Sequence, residues 1–147
     1  MKRDWDTVRD VLTKLEGLPS TDHYLSLGDF ELADVSAAYA ISYHMELLID
    51  AGLVEGKMSR VLGGGPINFT ATRLTWAGHE FLDGICSDTV WNETKETFAT
   101  KGLDMTFDLI KTVAGSVATS LLFWVHKRQK LAKSFKFGVC DTKSLHL

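Results

Sequence analysis

The chain has 147 residues, 45% of them apolar and 24% charged, the profile of one globular domain long enough to bury a real core and too short for two of ordinary size. Its formal net charge of -3 is unevenly placed: residues 1–100 carry eight Lys+Arg against sixteen Asp+Glu, and residues 101–147 carry eight against three. An acidic first part excludes a protein coated all over in positive charge for nucleic acid, so any phosphate contact must be local.

Cys86 and Cys140 lie far apart without a CxxC pair, and no charged-then-apolar leader precedes a small-residue cleavage site, so a reducing, cytoplasmic setting is expected. The longest uncharged stretch, Thr112–Val125, falls short of the roughly 20 residues that span a bilayer. A helix buried against protein is expected there, and no membrane partner.

In chain order, Asp4 can cap a helix over about residues 4–16, with Trp5, Val8, Leu12 and Leu15 at spacings of three and four and Gly17 and Pro19 as a stop. His23–Phe30 alternates apolar and polar and predicts a short edge strand. From Leu32 to Ala51, Val35, Ala38, Ile41, Met45, Leu48 and Ile49 form a helical stripe, which a turn near Ser36 can divide into a short and a longer helix, and Gly52 follows as the left-handed residue at the end. Leu53–Thr75 predicts a hairpin with Gly63–Pro66 at its tip. Thr75 caps a helix to about Cys86, and Asp88 or Thr89 caps another that ends at Gly102. The last helix is expected from near Asp104, with Phe107, Ile110, Val113, Ala114, Val117, Leu121, Leu122 and Val125 giving a face broad enough to pack on two sides. It is expected to run on into the basic segment Lys127–Lys136, five cations in ten residues.

The fold expected is mainly α with a small β hairpin: a winged helix-turn-helix core over 1–87, a C-terminal helical extension over 88–133 packing on the core or on a second subunit, and a loose tail over 134–147. The run Ser42–Val54 (SYHMELLIDAGLV) resembles the recognition-helix segment of ArsR-type winged-helix repressors: Ser42, His44, Leu48, Ala51, Gly52, Leu53 and Val54 match, and Met45 stands where Leu is usual. Leu74–Leu82 (LTWAGHEFL) is similar to the Leu-Thr-x-x-Gly element that closes the wing in many such proteins. The blocks MKRDWD, YHMELLIDAGLVEG, TRLTWAGHEFLD and DTVWNETK resemble a family of uncharacterised phage and prophage proteins known by a domain-of-unknown-function label (2513). That resemblance covers the chain to about residue 125 and implies a mobile-element origin in a bacterial host and a winged-helix-like core, with no activity attached.

The sequence departs from the repressor pattern where a cation commonly follows the serine: here stand Tyr43 and then Glu46, a thin reading head for base edges. Candidate nucleic-acid or partner contacts are Tyr39, Ser42, Tyr43 and Glu46 on the recognition helix, Lys57, Arg60 and Arg73 around the wing tip, and Lys127, Arg128 and Lys130 in the basic segment. Each group also reads as ordinary structure: a helix face that holds the fold, a hairpin with solvated cations, and a helix end whose cations suit the dipole. His44 is expected to be structural. Phe107, Ile110, Val117, Leu121 and Trp124 are the candidate dimerisation face.

No HExxH or paired CxxC spacing joins His23, His44, His79, His126 and Cys86, and Gly63–Gly65 lacks the Gly-Lys-Ser/Thr of a phosphate loop. Neither an enzyme nor a cofactor is expected. The leading expectation is a phage- or prophage-encoded DNA-binding regulator acting as a homodimer on double-stranded DNA. The alternative is the same scaffold turned to a host protein, such as an inhibitor of a bacterial defence protein, which its acidic surface would engage by charge complementarity.

Overall fold

The computed structural model describes residues 1–128, with side chains of the last helix described to Phe123. The described chain is mainly α with one small antiparallel hairpin, as expected. The predicted tail 134–147 lies outside the described residues.

Helix α1 spans Trp5–Glu16. Asp4 caps it by accepting from the Asp6 N–H, and Val8, Val11, Leu12 and Leu15 bury one face. The edge strand expected over 23–30 shrinks to a single bridge, in which Leu25 exchanges backbone hydrogen bonds of 2.8 and 2.9 Å with Ala71. Beyond it the chain makes one 3-10 turn at Leu27–Asp29. Local bonds draw the backbone off the ladder here: the Asn68 Oδ1 accepts from the Leu27 N–H, and the Asp29 carboxylate accepts from the N–H and hydroxyl of Ser26.

Helix α2 runs unbroken over Val35–Asp50 from an Asp34 cap that accepts from the Ala37 N–H. The expected division near Ser36 is therefore corrected: the helix starts at Val35 and no turn interrupts it before Asp50. Strands β1 (Val54–Ser59) and β2 (Asn68–Leu74) pair from Val54↔Leu74 to Ser59↔Asn68, with a register irregularity between Glu55 and Gly56. Phe69, Ala71 and Leu74 turn inward from β2.

Thr75 then ties three pieces together. Its N–H donates to the Leu53 carbonyl, its hydroxyl donates to the Gly52 carbonyl at 2.6 Å, and its Oγ1 accepts from the Gly78 N–H at the start of α3 (Trp76–Ile85). Gly78 packs so closely that an added Cβ would run into the Leu53 carbonyl oxygen. The Leu-Thr-x-x-Gly element is thus a junction at which α3 crosses the end of α2 without room for a side chain.

The described chain divides into two compact units, Met1–Leu82 and a second that starts at Asp83, so the division falls within α3. In the second unit α4 (Asp88–Lys101) is capped by Ser87, whose Oγ accepts from the Val90 N–H, one residue before the predicted caps. Val90, Trp91, Thr94 and Phe98 are its buried face, and Gly102 closes it at φ +63°. Helix α5 (Phe107–Arg128) begins three residues later than expected, after Thr106, whose hydroxyl accepts from the Leu109 N–H. It packs along α4 and buries Ile110 and Ala114. Among the described residues no helix is long and apolar enough to cross a membrane, and no group of His, Cys, Asp and Glu is placed to hold a metal ion.

Candidate functional site

The 3.6-residue period of α2 separates two kinds of residue. Ala38, Ser42, Met45 and Leu48 face inward, as does His44, whereas Ser36, Tyr39, Tyr43, Glu46 and Asp50 fall at spacings of three and four on the other side. Tyr39 and Asp50 are exposed, and Tyr43 and Glu46 are half-buried. The tyrosines and Glu46 expected at an interface do share one stripe.

Ser42 does not join them. Its side chain is 5% exposed and its hydroxyl donates to the Ile67 carbonyl at 2.6 Å, pinning α2 to the chain that enters β2. The expectation of a contact residue is corrected: the matching motif position is a strut. His44 is 2% exposed; its Nε2 accepts from the Asp4 N–H at 2.7 Å and its Nδ1 meets the Ala40 carbonyl at 2.6 Å. Because Nε2 accepts, the ring proton sits on Nδ1, and a neutral imidazole joins the α1 cap to α2. Tyr43 packs edge-on against that ring, with centroids 5.5 Å apart.

The hairpin cations occupy three different settings. The Arg60 guanidinium, at the end of β1, bonds the Glu46 carboxylate of α2, which makes the helix stripe and the start of the tip one surface. Arg73 lies at the root of the hairpin, not at the tip, where it donates from Nε and a terminal nitrogen to both Glu55 oxygens at 2.7 and 2.8 Å. Lys57 is exposed on β1 opposite Thr70. The tip itself is uncharged: Val61 and Leu62 are 85% and 107% exposed, ahead of Gly63, Gly64 and Gly65, all at positive φ.

Two acids therefore neutralise two of the three hairpin cations. Both arginines keep more than 60% of their side-chain surface exposed, so each pair is worth no more than about 1 kcal/mol and is readily given up to a stronger anion. Sequence reasoning missed these pairs because Glu46–Arg60 and Glu55–Arg73 are 14 and 18 residues apart, beyond any helical or hairpin-turn spacing. The strand alternation of Glu55 with Lys57, and the antiparallel register, are the signals that point to the second.

In the second unit the candidate dimerisation residues divide. Ile110 is fully buried and belongs to the packing within this unit, so it is corrected from partner contact to core. Phe107 is half-buried with Lys111 Nζ 5.4 Å from its ring, and Val117 and Leu121 are half-buried. Leu109, Leu122 and Phe123, not singled out from the sequence for this role, are more exposed, Phe123 at 70%. Lys127 and Arg128 are in the last turn of α5; the Trp124 side chain and Lys130 lie outside what is described.

Residues 2–104 match the model of a family described as Hypothetical protein (DUF2513). An uncharacterized protein of Haemophilus influenzae (strain ATCC 51907 / DSM 11121 / KW20 / Rd) is 40% identical over 122 residues, 83% of this chain and 99% of that protein. No solved structure matches the chain significantly.

Proposed function

The chain belongs to the DUF2513 family, and we propose that this member is a winged-helix-type regulator of phage or prophage origin that binds duplex DNA through α2 and the hairpin. One observation carries the reading: Arg60, just past β1, bonds Glu46, so the outer stripe of α2 and the start of the wing form a continuous surface. A helix presenting Ser36, Tyr39 and Tyr43 suits a major groove, with a hairpin beside it for the backbone. The two exposed ion pairs hold Arg60 and Arg73 extended until phosphates replace the carboxylates. The helix, bridged strand, turn, helix and hairpin order supports the winged-helix assignment, with the first helix of the pair reduced to one 3-10 turn.

A second reading, a protein-binding module with a basic target such as a bacterial defence nuclease, draws support from charge and from the tip. Unit 1 carries seven Lys+Arg against twelve Asp+Glu, and two aliphatic side chains stand in solvent at the end of the hairpin. Glu46→Gln and Glu55→Gln separate the readings because the two partners respond with opposite sign. Each variant removes a carboxylate that competes with phosphate, so duplex affinity measured by fluorescence anisotropy rises severalfold, whereas affinity for a basic protein falls.

For the native protein, neutralisation of three phosphates by Lys57, Arg60 and Arg73 gives a log–log salt slope of about -2.7. Arg60→Ala combined with Arg73→Ala lowers it to about -0.9. Absence of binding to any duplex at low salt overturns the DNA reading.

A further inference from the structure

We propose that α5 is the seat of a two-fold pairing in which a second copy lays its own α5 antiparallel across it. The inference goes beyond the DNA reading and stands apart from it. Its first observation is a mismatch of lengths: α4 has 14 residues and α5 has 22, about 21 Å against about 33 Å. The short connection, residues 102–106, sets the end of α4 beside the start of α5, so the last two turns of α5 run past the first turn of α4. That overhang is where the sequence places five consecutive bulky apolar residues, Leu121–Val125. A helix apolar on every side is normally a covered helix, yet Leu122 is 41% and Phe123 70% exposed.

Charge and size together select the occupant. Asp104 and Asp108 flank the start of α5, and Lys127 and Arg128 lie in its last turn. An antiparallel pair centred between Val117 and Ala118 sets Asp108 of one copy beside Lys127 of the other, twice by symmetry. The same register sets exposed Phe123 across from Thr112, and crosses the helices at Ser116–Thr119, where small side chains allow close approach. No charged residue stands between Thr112 and Val125 to oppose the contact. Such a surface is complementary to itself, the requirement of a two-fold interface. A lipid surface or the chain's own first unit matches the apolar overhang but has no use for the acidic start of the helix.

Sedimentation equilibrium of the full-length protein tests the pairing. The expected species is a dimer of the 16.3 kDa chain, and Phe123→Glu, at an exposed position that folding does not depend on, weakens it at least tenfold with an unchanged circular dichroism spectrum. Asp108→Lys weakens it about tenfold by setting two like-charge contacts into the pair, and adding Lys127→Asp to the same chain restores it. A monomer at every concentration up to about 100 μM overturns the proposal, as does a dimer indifferent to Phe123→Glu or to the charge exchange. Duplex binding by a monomer would leave the DNA reading standing while this one fell.

Discussion

His44 shows how one side chain can serve the fold from within a segment that resembles a reading helix. It satisfies the backbone N–H of Asp4, 40 residues away, at the point where α1 begins. His44→Ala leaves that donor without its partner and opens a cavity, and is expected to cost about 1–3 kcal/mol, seen as a lower urea midpoint with an unchanged m-value. Tyr39→Ala, on the exposed stripe, is expected to leave the folding free energy within about 0.5 kcal/mol of native. Asp29 adds a pH-dependent term. Hydrogen bonds from the backbone N–H and the hydroxyl of Ser26 hold its carboxyl below the ordinary range, with Lys14 adding a smaller attraction. A depressed pKa in the folded chain means that the contribution is present above about pH 4 and is lost as pH falls through the folded value. Asp29→Asn therefore lowers the urea midpoint at neutral pH and narrows the difference from native at about pH 3.

At the scale of elements, the hairpin is held from three sides and its tip from none. Ser42 pins the entry to β2, Thr75 pins the exit to the end of α2, and Leu25 bridges Ala71. Ser42→Ala and Thr75→Ala are each expected to cost about 1–2 kcal/mol, because each strands a carbonyl and Thr75 also loses its cap of α3. Gly78→Ala is the severer change: α3 must shift away from the Leu53 carbonyl, and a loss of about 3 kcal/mol or more in chemical denaturation is expected. In contrast, Leu62→Ser at the fully exposed tip leaves stability unchanged within about 0.5 kcal/mol. A tip anchored only at its root can adjust to a partner, which suits either reading of the surface.

For the whole molecule the two proposals meet in one measurement. A dimer through α5 carries two copies of the α2 stripe, so a duplex with two correctly spaced half-sites is bound more tightly than one with a single half-site. Phe123→Glu is expected to remove that advantage, at least about tenfold, while leaving single half-site affinity intact. Charge is distributed consistently with such a division of labour. Unit 1 is net acidic by five, and residues 83–147 carry nine Lys+Arg against seven Asp+Glu. The cations of the latter gather after residue 126.

Much of this was legible in the sequence because it depends on local periodicity and caps. The apolar spacing of Val8, Leu12 and Leu15, the Asp4 cap, and the glycines at 52 and 102 determine a helix and a helix end wherever they occur. The Thr75–Gly78 junction was visible as a motif, and its reason, the closeness of Leu53, was not. Tertiary structure alone decided what depends on partners distant in sequence. Asn68 and the Ser26–Asp29 bonds reduced a plausible strand to one bridge, Ile67 took Ser42 out of the exposed stripe, and packing in the second unit took Ile110 out of the candidate interface. Glu46 and Glu55 came to face Arg60 and Arg73 for the same reason. Periodicity states which side of an element is apolar, but which polar group a side chain meets is settled only when another part of the chain arrives beside it.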